Sequence, residues 1–524
     1  MSISKKVVHA MAAVLCAAAI AGGSAIAQGT AAYAATGASP YNITVGIGGS
    51  ASEVRFTWQS NSLSAGQLQI AKSSDVKNGS FPSNSTKQAT TEKVTATEGV
   101  LDNPKNTDHA VSSFKDANGA ALGDEYSNKV TVGGLAPDTS YTYRVSDGTT
   151  WSQPYTFRTR SASVGFSFVA VGDPQIGAGS IGTDISGWAK TLGKITSKLP
   201  NAHFLFSLGD QVNNYDHLYT QQAEYDGFFN PESSNYLQTH ILAAFSGNHD
   251  FQMGKYYSFH YSQPNLSTLG QTQTNGVPDS NGDYWFRYGN TLFMNLEANN
   301  FYDISAHDAF LKQAIAANPN IKWKVAAYHQ APYSEANHDG ATSSDDDIMF
   351  MRKNWTKLMD KYDIDVVLNG HDHYYTRSYQ MYGGSPVSTT KTHAVTNPKG
   401  TVYFTLDSGS GSKYYKYNTT ADHSFSSFGW QNNVPTYSNI AVTDKTFAVT
   451  TYSVNSDTPI DTYTITKSAS AAALAAGNGA GTASNPKTGD NGGGLYAILA
   501  VAAGALLIAA FSAVMVLRKK SARG

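Results

Sequence analysis

The chain has 524 residues, more than one hydrophobic core organises, so two or three domains are expected. A net charge of −2 with 15% charged residues excludes the basic footprint of a nucleic-acid binder and gives no sign of a strongly acidic partner. Aromatic residues reach 12%, with 31 tyrosines, which suits a β-rich structure.

In chain order, Lys5 and Lys6 precede the apolar run "AMAAVLCAAAIAGG" and the small-residue stretches "SAIAQ" and "AAYAAT". This reads as a secretory signal peptide over residues 1–35, cut after Ala27 or Ala35. The only cysteine, Cys16, falls inside it, so no disulfide is expected in the mature chain. Residues 41–160 are short alternating segments, "EVRFTWQS", "KVTVGGL", "SYTYRVSDG" and "WSQPYTFRT", broken by Gly, Asn, Ser and Asp. Period-two alternation at this spacing predicts an antiparallel sandwich, with no chemistry-bearing residues. "GLAPDTSYTYRV" resembles the corner of fibronectin type III-like domains, in which a tyrosine, here Tyr141 or Tyr143, ties the turn to the backbone.

From Phe166 apolar strand runs alternate with helical stretches at 183–199, near 218–229, at 304–317 and at 347–361. Such alternation predicts a layered α/β core over 164–466. The regularity that matters is where each strand stops. "FSFVAVGDPQ" ends in Asp173, "AHFLFSLGDQV" in Asp210, "ILAAFSGNHD" in Asn248, "KWKVAAYHQAPY" in His329 and "DVVLNGHDHYY" in His371 and His373. In an open α/β sheet the carboxyl ends of strands face the ligand crevice. One histidine alone is most simply structural; a full set at successive strand ends points to a metal site. A carboxylate can bridge two cations, imidazoles suit Zn, Fe or Mn, and an asparagine carbonyl adds a ligand without charge.

The ordered blocks GDPQ, Gly209-Asp210, Gly247-Asn248-His249-Asp250, His329 and Gly370-His371-Asp372-His373 resemble the calcineurin-like metallophosphoesterases, closest to the purple acid phosphatase branch with its fibronectin-like domain in front. The likeness covers roughly residues 41–450 and implies a four-layer α/β/β/α core. It implies two divalent ions (Fe, Zn or Mn). Asp210 would bridge them, with Asp173 and His373 on the first and Asn248, His329 and His371 on the second. Asn248, His249 and His338 would meet the phosphate of a small substrate. His249 would protonate the leaving oxygen, and Asp250 would orient its ring. Two departures stand out. Asn213 occupies the place of the tyrosine that colours the purple enzymes, with Tyr215 two residues too far on, and Gln175 stands where many relatives carry a histidine. Gln175 either supplies an amide oxygen to the first metal or hydrogen-bonds a metal-bound water. The expected enzyme is colourless, with a labile first metal. "GSGSKYY", 409–415, reads as a turn closing the crevice, and Asp345-Asp346-Asp347 as a helix N-terminus.

After an Ala/Gly/Ser linker over 467–484, "NPKTGD", the apolar segment 495–517 and Arg518-Lys519-Lys520 resemble the cell-wall sorting signal of Gram-positive surface proteins. The resemblance implies sortase cleavage between Thr488 and Gly489 and attachment to peptidoglycan, with the membrane met only through the precursor. The expectation for the whole chain is a secreted, wall-anchored phosphate monoesterase. A phosphodiesterase or nucleotidase of the same fold is the alternative within the enzymes, and an adhesin with a structural metal site the alternative outside them.

Overall fold

The computed structural model describes residues 39–468, apart from 98–109, 112–113, 116–120, 214–217, 252–254, 272, 275–276, 279–281 and 339–345. The expected leader, the wall-sorting residues Thr488 and Gly489, and the 495–517 span lie outside the described residues, as does Tyr215.

Two large sheets face each other. The first has eleven strands, and at its centre Phe166–Val171, Leu205–Ser207 and Ile241–Ala244 run parallel. The second has seven, with Thr291–Asn295, Trp323–Ala327, Val366–Asn369 and Val402–Thr405 parallel in that order. These strands are buried almost without interruption, so each sheet has two buried faces. Phe168, Phe204 and Phe206 meet Phe286, Phe293, Val325 and Leu368 between the sheets. Phe168 and Phe204 stack at 4.8 Å, and Phe293 meets Phe168 edge-on at 5.3 Å, the offset and T-shaped geometries that aromatic quadrupoles favour.

The outer faces are covered by helices. In Ile181–Lys198, Ile185, Trp188, Leu192 and Ile195 recur at helical spacing and bury one stripe against the first sheet. The helix begins where the Ser180 hydroxyl accepts from Thr183 N, as an N-cap should. On the other side Phe310, Leu311, Met351 and Trp355, from Ile304–Ala317 and Asp346–Lys361, cover the second sheet. The layers therefore run α/β/β/α. The acidic cluster does open the last of these helices, which starts at Asp346, with Asp347 Oδ1 accepting from Ile348 N at 2.8 Å. Asp345 lies outside the described residues.

The N-terminal strands form the predicted sandwich. Gln67–Lys72, Ser140–Ser146 and Tyr155–Arg158 pair antiparallel and pack Leu68, Tyr143 and Phe157 against Phe56 and Trp58 of Val54–Ser60. Tyr141 is the corner residue, its hydroxyl accepting from Ala136 N at 2.9 Å. Tyr143 instead donates to Gln238 O at 2.7 Å, across to the α/β core. The change of texture near residue 160 does not separate two free-standing bodies. Tyr41–Ile47 pairs parallel with Ile241–Ala244 (Val45 opposite Ile241), so the front sheet of the sandwich continues the large sheet of the core.

That seam buries acid. The hydroxyls of Tyr41 and Tyr256 donate to Glu125 at 3.0 and 3.4 Å, and Asn42 donates to Asp226 at 2.6 Å. Burial, and then the field of Asp226, push the Glu125 carboxyl up to about 8. Burial lifts Asp226 to about 6. Folding thus keeps protons on acids that the unfolded chain releases. This contribution is intact below the unfolded Glu value of 4.5 and is lost as pH rises to about 8. Glu125→Gln is expected to flatten the fall. Equilibrium denaturation of both proteins at about pH 5.5 and 8.5 measures it; equal pH slopes would contradict this account.

Candidate metal centre

The expected ligands converge in a buried cleft at the carboxyl ends of the parallel strands of both sheets. Asp173 lies two residues beyond Val171, Asp210 three beyond Ser207, Asn248 four beyond Ala244 and His329 two beyond Ala327. His371 and His373 follow Asn369. The chain must reverse sharply at each end. Asp210, His371 and His373 all adopt positive φ, at 47°, 78° and 46°, a conformation non-glycine residues hold only when their surroundings enforce it.

Glycines make room for this. A Cβ at Gly247 would collide with Asp210 Oδ1 and its backbone nitrogen, and one at Gly370 would collide with Asp173 Oδ1. The Gly-Asp, Gly-Asn and Gly-His pairs of the sequence are therefore steric devices: Gly247 and Gly370 let a carboxylate lie against the backbone, and Gly209 makes room for the His329 ring.

The donor atoms face one another. Asp210, His329 and His371 place one ligand atom each within 4.8 Å of one another. His329 Nδ1 donates to Leu208 O at 2.8 Å, turning Nε2 inward to stand 3.1 Å from Asp210 Oδ2 and 3.8 Å from Asp173 Oδ2. His373 uses Nδ1 on Lys413 O at 3.1 Å and directs Nε2 to within 3.4 Å of Asp173 Oδ2. Both rings thus show the outer-shell backbone bond that orients metal-ligating histidines. His371 Nδ1 lies 3.0 Å from Asn248 Oδ1, and its backbone N–H donates to both Asp173 oxygens at 2.9 and 3.0 Å.

The electrostatics are those of a cluster assembled for positive charge. Burial pushes the Asp173 carboxyl up to about 7, against the pull of His329. Burial also opposes ionisation of Asp210, but the His329 and His249 rings overcome it and hold its carboxyl well below the usual range. Burial would lower His329, yet Asp210 and Asp173 raise it to about 10. His371 and His373 are driven well below the usual imidazole value, first by burial and then by like charges around them. Buried carboxylates beside the imidazoles of His371 and His373, both held neutral, belong to a donor set suited to borderline divalent cations. Gln175, whose N–H donates to Asp210 O at 2.8 Å, also has a buried side-chain oxygen, Oε1, without a hydrogen-bond partner.

His249 and His338 sit at the same cleft. His249 N donates to Asp210 Oδ1 at 2.9 Å, and its Nδ1 bonds the Asn213 carbonyl at 2.6 Å. The expected role of Asp250 is corrected here. Its oxygens accept from Gly247 N at 2.8 Å, Gln211 N at 3.1 Å and the Tyr225 hydroxyl at 3.3 Å. Asp250 braces the turns bearing Asp210 and Asn248, while the Asn213 carbonyl takes the ring of His249. His338 lies 4.3 Å ring to ring from His371, and its N–H is tied to Asp372 Oδ1 at 3.0 Å. Asp372, between the paired histidines, thereby anchors the His338 loop.

Three residues of the site were missed by sequence reasoning. Asn213 acts through a carbonyl that any residue would offer. Tyr415 packs its ring 5.2 Å from His373 and 5.4 Å from His338. Gln431 donates to His373 O at 2.6 Å. For Tyr415 the signal was "GSGSKYY", whose Lys413 carbonyl lies 3.1 Å from His373 Nδ1.

Two family models match the chain: the purple acid phosphatase N-terminal domain over residues 40–159 and the calcineurin-like phosphoesterase over 166–375. An uncharacterised protein of Mycobacterium tuberculosis is 26% identical over 323 residues, 55% of this chain and 58% of its own, so the match spans little more than half of that relative. A Hordeum vulgare protein named nucleotide pyrophosphatase/phosphodiesterase is 22% identical over 290 residues, 52% of this chain and 77% of its own. Among solved structures, a purple acid phosphatase from seeds of yellow lupin, Lupinus luteus, has a TM-score of 0.60 at 16% identity, covering 82% of this chain and 74% of that one. PhoD has a TM-score of 0.52 at 13% identity, covering 82% and 90%.

Gly247→Ala is expected to weaken metal retention at least about tenfold, the scale of lost outer-shell support, with the fold preserved. Metal content after dialysis, beside circular dichroism, tests this. Undiminished retention would show that the close approach of Gly247 to Asp210 is dispensable.

Proposed function

The chain carries a calcineurin-like phosphoesterase domain behind a purple acid phosphatase N-terminal domain, and from that premise we propose that it hydrolyses phosphate monoesters outside the cell at a two-metal centre. The observation that carries the reading is the convergence of strand-end donors beside His249, with the Nδ1 of that histidine fixed by Asn213 O at 2.6 Å.

Asp210 would sit between two divalent ions, with Asp173 and His373 on one side and Asn248, His329 and His371 on the other. Such ions, when bound, supply Lewis-acid polarisation of the phosphoryl oxygens and water activated near neutral pH. The chain's own residues do the rest. Asn248 and His338 bind the non-bridging oxygens. The Asn213 bond fixes the His249 ring, leaving Nε2 as the nitrogen that passes a proton to the departing alcohol oxygen. Asp250 keeps the turns beneath in register. A merely structural metal site needs no such acid–base group, which favours an enzyme over an adhesin.

The likeness to the Hordeum vulgare protein favours a second reading, a nucleotide phosphodiesterase or pyrophosphatase with the same centre. Residues 485–524 we read as the wall anchor. Thr488→Ala is expected to keep the protein out of the peptidoglycan fraction of its host, and unchanged wall attachment would refute the anchor.

Hydrolysis of p-nitrophenyl phosphate and bis-p-nitrophenyl phosphate separates the enzymatic readings. Monoester turnover is expected to dominate, to vanish in Asp210→Asn and to fall about 100- to 10,000-fold in His249→Ala. Diester preference would favour the second reading. No turnover of either by the metal-loaded protein would refute both.

A further inference from the structure

Gln175 is 1% exposed and stands two residues beyond Asp173. Its backbone holds φ at +36°, a strained value for a side chain of this kind, and its N–H donates to Asp210 O at 2.8 Å. The residue is thus strapped between the turns bearing the two acidic donors. Its amide is fixed end for end, because Nε2 donates to Asn213 Oδ1 at 3.1 Å. The other end, Oε1, is buried with no hydrogen-bond partner. A buried amide oxygen without a partner calls for a reason such as a bound ion or water; among the described residues Gln211 Oε1 and Gln330 Oε1 share the condition, but neither residue combines it with a positive φ. Strain, burial and an orphaned oxygen coincide at one residue whose backbone is bonded to that of Asp210.

We infer that Gln175 is itself a metal ligand, binding the first ion through its side-chain carbonyl oxygen beside Asp173, Asp210 and His373. The inference rests on the two-ion reading above and names a donor that this chain has in place of an imidazole. Asn213 then has two duties. Its side-chain oxygen turns the amide of Gln175 so that the carbonyl is presented, and its backbone carbonyl holds His249 at 2.6 Å. One residue therefore couples the first metal to the proton donor. The ligand charge is low, since Gln175 and His373 are neutral donors and Asp210 is shared. Hard oxygen and imidazole donors with so little negative charge suit a divalent ion rather than a ferric one.

The test uses the intact protein loaded with Co(II), whose visible ligand-field spectrum reports the inner coordination sphere. Wild type, Gln175→Ala and the isosteric Gln175→Glu are compared for metal per chain after dialysis and for spectrum, with circular dichroism as the check on folding. Gln175→Ala is expected to lose one of two ions and to change the spectrum, while Gln175→Glu keeps both ions and shifts the bands. Both ions retained in Gln175→Ala with an unchanged spectrum would overturn the inference. Weaker retention with unchanged bands in a fully loaded sample would also overturn it, placing Gln175 on a metal-bound water instead. A wild type that binds a single ion would refute the two-ion reading. In that case, a spectrum that still responds to Gln175→Ala would leave the ligand assignment standing.

Discussion

Asp173 and Asp210 are carboxylates buried within 3.8 and 3.1 Å of the same imidazole nitrogen, and the rest of the cleft is organised around holding them there. Burying ionisable groups in a tight cluster is costly unless charge and hydrogen bonding compensate. Backbone N–H groups of His371 and His249 meet the carboxylates, backbone carbonyls turn the histidine rings, and glycines bring the turns close enough for both. Because the donors follow the ends of five strands, His371 and His373 sharing one, the geometry of the cluster is the geometry of the two sheets. Their aromatic interface is therefore part of the site: Phe168, Phe204 and Phe293 set the distance between the sheets whose ends carry the ligands.

The same logic gives the N-terminal sandwich a part in the centre. Ile241–Ala244, the strand that delivers Asn248, is flanked by Leu205–Ser207 on one side and by Tyr41–Ile47 of the sandwich on the other. Tyr143 donates to Gln238 just before that strand, and Gln59 donates to Phe259 O beyond it. Deleting the sandwich would expose an edge of the sheet next to an essential turn. The sandwich therefore packs against the strand that leads to Asn248.

Much of this was legible from residues alone. The converging donors could be read because strand ends, glycines and donor types are local features, and Gly247-Asn248-His249-Asp250 or Gly370-His371-Asp372-His373 state all three at once. The sandwich was legible from alternation, and the corner was narrowed to Tyr141 or Tyr143, between which only tertiary contacts decide. The rest depends on encounters between distant parts of the chain. Nothing near Val45 announces Ile241 as its neighbour. The bond that turns His249 uses a backbone carbonyl, which has no signature in a sequence. The family resemblance implies that Asp250 orients the His249 ring, whereas the fold brings Gln211 and Tyr225 to it. Glu125 and Asp226, separated by a hundred residues, show their shared burial only in three dimensions.

The central claim is that five strand ends form one centre for two ions. Anomalous X-ray scattering at the metal absorption edge, from crystals of the metal-loaded protein, tests it most directly. The account predicts two peaks about 3.5–4 Å apart, on either side of Asp210, each about 2.0–2.2 Å from the nearest His or carboxylate donors. A single peak with closed coordination, or peaks away from Asp210, would contradict it.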